Sequence, residues 1–176
     1  MSSKTIRLMA LTNGSFARVI AARRFGGRSA FALASPDLFE SLEAVAERSI
    51  DKFVGGAHGA TGCFMMNTAM VEAAGDPEIS QVIREAMDSL ERALIRRLER
   101  AIDDGQLPAS ADPRTLAMIL VANHYEISAR ARAGYAREEL RSLADRTLAL
   151  VRAVAGIGGP DALARDADFG DTGRGR

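Results

Sequence analysis

The sequence predicts an all-α protein, and three observations carry that expectation. Proline meets a capping side chain at Ser35-Pro36-Asp37, Asp76-Pro77-Glu78 and Asp112-Pro113. An oxygen-bearing cap with proline in the first turn is how helices commonly begin. Apolar residues then recur at helical spacing, most persistently over Ile79, Val82, Ile83, Ala86, Met87, Leu90, Ala93, Leu94, Leu98 and Ala101. Finally, Ala, Leu, Arg and Glu abound while Trp is absent and Tyr occurs twice. Such unbranched side chains lose little rotamer freedom in a helix.

Taken in order, residues 1–34 form a basic segment. Gly14, Gly26 and Gly27 interrupt any long helix there, and a short one fits Ser15 to Arg24, with Phe16, Val19 and Ile20 on one side. The first strong helix follows Ser35 and carries Leu38, Leu42, Val45, Ala46, Ser49 and Phe53; Gly55-Gly56 stops it. A Gly- and Ala-rich loop runs to Gly62. The stretch from Cys63 to Val71 is apolar nearly all round, as a buried helix is, and ends at Gly75. The long helix after Asp76 places Glu91, Arg92, Arg96, Arg97, Glu99 and Arg100 on a wet face and closes at Asp103-Asp104-Gly105. Leu116, Ile119, Leu120, Asn123 and Ile127 make one face of the next, with Met118, Val121 and Tyr125 widening it before Gly134. A last helix from about Arg137 to Ala155 turns Leu140, Leu143, Ala144, Thr147, Leu148, Val151 and Val154 inward. Apolar faces this wide leave room for a second chain. Residues 35–155 therefore read as one helical domain, and the Gly-, Asp- and Arg-rich residues 156–176 as a disordered tail.

The 176 residues carry no net charge, but the first 36 hold six basic residues and no acid. Such a block reads either as an unstructured leader or as an arm for phosphate backbone. A single cysteine, Cys63, excludes an internal disulfide and a Cys-rich zinc site, and a reducing cytoplasm fits. Cys63 itself reads as a small buried apolar residue or, near a helix N-terminus, as a reactive thiol. His58 and His124 are the only histidines. There is no Ser/His/Asp arrangement, metal cluster, phosphate loop or other cofactor motif, so an enzyme is not expected. No apolar run is long enough to span a membrane.

Gly62-Cys63-Phe64-Met65-Met66-Asn67-Thr68-Ala69, Asp76-Pro77-Glu78-Ile79, Asp104-Gly105-Gln106-Leu107, Ala111-Asp112-Pro113 and Ala131-Arg132-Ala133-Gly134 follow one another in an order that resembles the C-terminal domain of TetR/AcrR-type transcriptional regulators. The resemblance implies a helical bundle of about five to six helices that binds a small apolar effector and forms a homodimer through its last two helices. It implies a pocket among Phe39, Phe53, Phe64, Asn67, Met87, Leu90 and Asn123, with the two asparagines as a buried polar pair. It places Met118, Val121, Tyr125, Leu140, Ala144, Thr147 and Val151 at the dimer seam, although Tyr125 beside His124 also suits a pocket wall. Upstream, Leu11 to Phe16 looks like the turn and first residues of a recognition helix, with Thr12, Asn13 and Ser15 as its DNA-facing remnant. The family pattern then breaks at Ala17 and Ile20, as an alternative start with a shifted frame would make it. The expectation is a ligand-responsive regulator reduced to its sensing half, binding DNA only if a complete helix-turn-helix is present. The alternative is a helical dimer that sequesters a partner or a paralogous regulator.

Overall fold

A computed structural model describes residues 33–55 and 73–156. Among these residues there are four helices and no strand: α1 (Leu38–Val54), α2 (Pro77–Asp103), α3 (Pro113–Arg132) and α4 (Arg137–Val154). The all-α expectation holds. Residues 1–32 of the expected basic segment, the stretch from Cys63 to Val71 and the tail beyond Gly156 lie outside the described residues.

The starts follow the capping chemistry. The Asp76 carboxylate accepts from the N–H groups of Glu78 and Ile79, and Asp112 does the same for Arg114 and Thr115, each ahead of a proline in the first turn. The first start is displaced from its expected place. Asp37, not Ser35, caps α1 by accepting from Glu40 N–H at 2.8 Å, while the Ser35 hydroxyl bonds the Asp37 N–H and the Glu40 carboxylate. An aspartate two residues further on offers a better-placed acceptor, so the helix begins behind it. Gly105 and Gly134 sit at φ +72° and +88°, the left-handed conformation that ends α2 and α3 at low cost only for glycine.

α3 and α4 are an antiparallel pair joined by a short turn; α2 packs on α3, and α1 lies across α3 and α4. The core divides into two clusters. One gathers Ile50 and Phe53 of α1, Ile79 and Ile83 of α2, Ile127 and Ala131 of α3, and Leu140 and Ala144 of α4. The other gathers Leu38 and Leu42, Leu94, Leu98 and Ala101, Leu116 and Ala117, and Leu148 and Val151, with Leu33 and Leu107 at its end. All four helices thus contribute to both clusters. On α2, no residue between Ile83 and Leu94 is fully buried; Ala86 and Met87 pack partly buried on the first cluster and Leu90 and Ala93 on the second.

Polar contacts fasten α1 at both ends. Glu47 accepts from Arg141 through both oxygens, at 2.5 and 2.8 Å, and from Arg137; Arg137 also reaches Asp51, and Arg152 reaches Glu43. Hydrogen bonds from Arg141 hold the Glu47 carboxyl below the usual carboxylate range. At the other end α2 grips the segment leading into α1. Arg97 Nη2 donates to the Ser35 and Pro36 carbonyls at 3.3 and 3.0 Å and Nε to Ser41 Oγ at 3.1 Å. Arg100 donates to Leu33 O, and Gln106 both donates to Pro36 O and accepts from Leu38 N–H.

Arg97 corrects the sequence reading, which put it on the wet face: it is 2% exposed. Burial lowers its pKa, and its Nη1 has no partner among the described residues. The signal was present in the spacing, since 90, 94, 97 and 101 fall on one helical stripe.

Candidate functional site

A cavity lies where the two clusters meet. Leu42, Val45, Ala46 and Ser49 of α1 wall it, with Leu90 and Leu94 of α2, Leu120, Asn123, His124 and Ile127 of α3, and Ala144, Thr147 and Leu148 of α4. Its volume is about 40 Å³. By the same measure one water needs roughly 10–15 Å³, so the space holds a few waters, and a larger guest must displace side chains. Of the cavity's α2 side chains, Leu90 is only partly buried while Leu94 is fully buried.

No aspartate, glutamate, lysine or arginine lines this cavity. Its polar side chains are Ser49, Asn123, His124 and Thr147. The Ser49 hydroxyl donates to Val45 O at 2.7 Å, a bond within its own helix, and Thr147 does the same to Leu143 O at 3.2 Å. Asn123 Nδ2 donates to Leu143 O at 3.3 Å, which ties α3 to α4. His124 is held by rings instead. Phe53 meets it edge-on with centroids 5.2 Å apart, and Tyr125 at 5.5 Å. Loss of hydration around the ring, with the Lys52 ammonium adding to it, pushes the His124 pKa down to about 4. The imidazole is therefore neutral at ordinary pH.

Of the seven residues expected in a pocket, Leu90 and Asn123 line the cavity. Phe53 stands behind it, fully buried against His124. Met87 packs on the first cluster, and Phe39 on the second beneath the Arg152 guanidinium, 4.7 Å from its ring centroid. Phe64 and Asn67 lie outside the described residues, as do Cys63, His58 and the expected DNA-facing remnant of Thr12, Asn13 and Ser15. His124, whose neighbour Tyr125 the sequence left between seam and pocket, belongs to the cavity wall. Ser49 and Leu120 were legible only as core positions.

The expected dimer seam needs correction. Leu140, Ala144 and Val151 are at most 3% exposed because the chain's own helices cover them. Thr147 lines the cavity, Tyr125 packs on the first cluster and Val121 on the second. Of that set only Met118 stands out in solvent, 59% exposed. The large apolar residues that do face outward from α4 are Leu150 and Val154, at 39% and 38%. The sequence reading counted Val154 as inward and did not single out Leu150. Sequence spacing identifies an apolar stripe but not which neighbour claims it, and here the stripe through 140, 144, 148 and 151 is taken by α1 and α3.

No helix among the described residues is long and apolar enough to cross a membrane. A family model described as "Tetracyclin repressor-like, C-terminal domain" matches residues 39–145, well over half of the chain. Searches of curated proteins and of solved structures gave no match. The matched region takes in α1, α2 and α3, the turn after α3 and the first part of α4, and with them the greater part of the cavity wall. With four packed helices in the expected order and a family model spanning them, the chain belongs to the tetracycline repressor-like C-terminal domain family.

Proposed function

We propose that this chain is the effector-binding and dimerisation half of a ligand-responsive transcriptional regulator, with no enzymatic activity of its own. The observation that carries the reading is the cavity at the seam of the two clusters, walled by all four helices and free of charged side chains. A concave, mostly apolar space with a few converging polar groups is the general form of a small-molecule site. A guest there would touch Leu90 and Leu94 of α2, the helix that also grips the segment leading into α1. Binding in the core thus has a mechanical route to residues that precede the domain.

Dimerisation is proposed through the outer faces of α3 and α4, with Met118, Leu150 and Val154 as its apolar contacts. Two helices from each copy would make a four-helix interface related by a two-fold axis. Because the recognition-helix pattern breaks at Ala17 and Ile20, this chain by itself is expected to bind DNA weakly and without sequence preference.

Two measurements test the proposal. Small organic molecules titrated into methyl-labelled protein are expected to shift the Leu42, Leu90, Leu120 and Leu148 resonances; no shift with any compound ends the effector reading. Sedimentation is expected to give a dimer that Leu150→Glu converts to monomer. A wild-type monomer at micromolar concentration ends the dimer reading.

A further inference from the structure

Resting on the reading of this cavity as an effector site, we infer that His124 is its polar contact. The effector class that follows is a small uncharged molecule, apolar over most of its surface and carrying one hydrogen-bonding group. Ser49 and Thr147 spend their only donors on main-chain carbonyls, and Asn123 spends one of its N–H groups in tying α3 to α4. The ring nitrogens of His124 make no hydrogen bond within the described residues, and neither is among the sealed, unpartnered atoms of the interior. Phe53 and Tyr125 fix the ring edge-on, so its orientation is set before any guest arrives.

The wall also says what is refused. A carboxylate or ammonium entering the cavity would find no opposite charge, and an unpaired buried ion costs far more than one hydrogen bond returns. Burial keeps the imidazole uncharged, so it offers one donor and one acceptor and no ionic attraction. A hydroxyl or carbonyl on a compact apolar body meets these conditions. The body must be compact because the space as it stands is about 40 Å³.

Phenol, toluene and benzoate test this as probes, with affinities measured by calorimetry on the wild-type chain and on His124→Phe. Phenylalanine keeps an aromatic ring against Phe53 and Tyr125 and removes both nitrogens. Phenol is expected to weaken about tenfold relative to toluene in H124F, because its hydroxyl then loses the imidazole as partner. Benzoate is expected not to bind either chain. In the wild-type chain alone, phenol should move the His124 ring resonances, whereas toluene should move chiefly the surrounding methyls. This second readout stands even where H124F does not fold. An unchanged phenol-to-toluene ratio, unmoved His124 resonances with phenol bound, or benzoate binding as tight as phenol would overturn the role of His124 while leaving the cavity an effector site. Failure of all three probes at millimolar concentration would instead remove the effector reading itself.

Discussion

Acidification is the perturbation whose effect follows most directly from the structure. His124 titrates at about 4 in the folded chain, against an ordinary value of 6.5. The folded state therefore binds fewer protons than the unfolded state throughout that interval. Stability must fall as pH drops through 6.5 toward 4, and this contribution flattens below it, where both states are protonated. Each pKa unit is worth about 1.4 kcal/mol. Between about pH 7 and about pH 5 the unfolded chain gains most of a proton that the folded chain refuses, a loss on the order of 2 kcal/mol. Lys52 is the cation that reinforces the effect. Urea unfolding followed by circular dichroism at both pH values, at one fixed protein concentration, measures it. The same experiment on His124→Phe removes the background of other groups, including His58, which both chains contain. The wild-type chain should lose about 2 kcal/mol more than H124F over this range. Equal losses would refute the argument that the ring is desolvated in the fold.

Other expectations follow from the contacts around α1. Ser41→Ala leaves the buried Arg97 Nε without its acceptor and should cost about 1–3 kcal/mol by chemical denaturation; a cost below a few tenths would show that Arg97 finds another partner. Glu47→Gln breaks a bidentate pair whose partners are 39% and 48% exposed. It should cost no more than about 1 kcal/mol, and less in molar salt. The carboxylate of Glu47 is held low by Arg141, so its contribution is present above the ordinary carboxylate range and lost as pH falls through its folded value. Asp76→Ala removes the acceptor for two N–H groups at the start of α2 and should lower stability by about 1 kcal/mol, with no change in probe affinity if capping is all it does.

The parts of the fold readable in sequence were those that depend on neighbours along the chain. Caps at Asp76 and Asp112, stops at Gly105 and Gly134, and the stripe from Ile79 to Ala101 are local matters of hydrogen bonding and spacing, and all stand where expected. What was not readable depends on which element claims a face. Leu140, Ala144 and Val151 form an apolar stripe fit equally for a partner copy or for the chain's own core, and only packing decides between them. Arg97 carries the chemistry of a surface residue at the spacing of a core residue. It became buried because carbonyls from residues 35 and 36, about sixty positions earlier, were available to it. The cavity was legible in part: Leu90 and Asn123 belong to it. Phe39 and Met87 instead fill space, since large side chains pack wherever volume is offered.

The clasp at the start of α1 has a further consequence. Arg97, Arg100 and Gln106 hold residues 33–36 by the carbonyls of Leu33, Ser35 and Pro36. Every amino acid supplies a carbonyl, so these bonds are indifferent to the side chains of the segment they hold. Apart from the buried Leu33 side chain, selection can rewrite the leading segment while these bonds persist, and a different N-terminal module joined ahead of Leu33 would meet the same anchor. In that sense the domain carries a socket: it constrains the path of whatever is plugged into it and leaves its identity open.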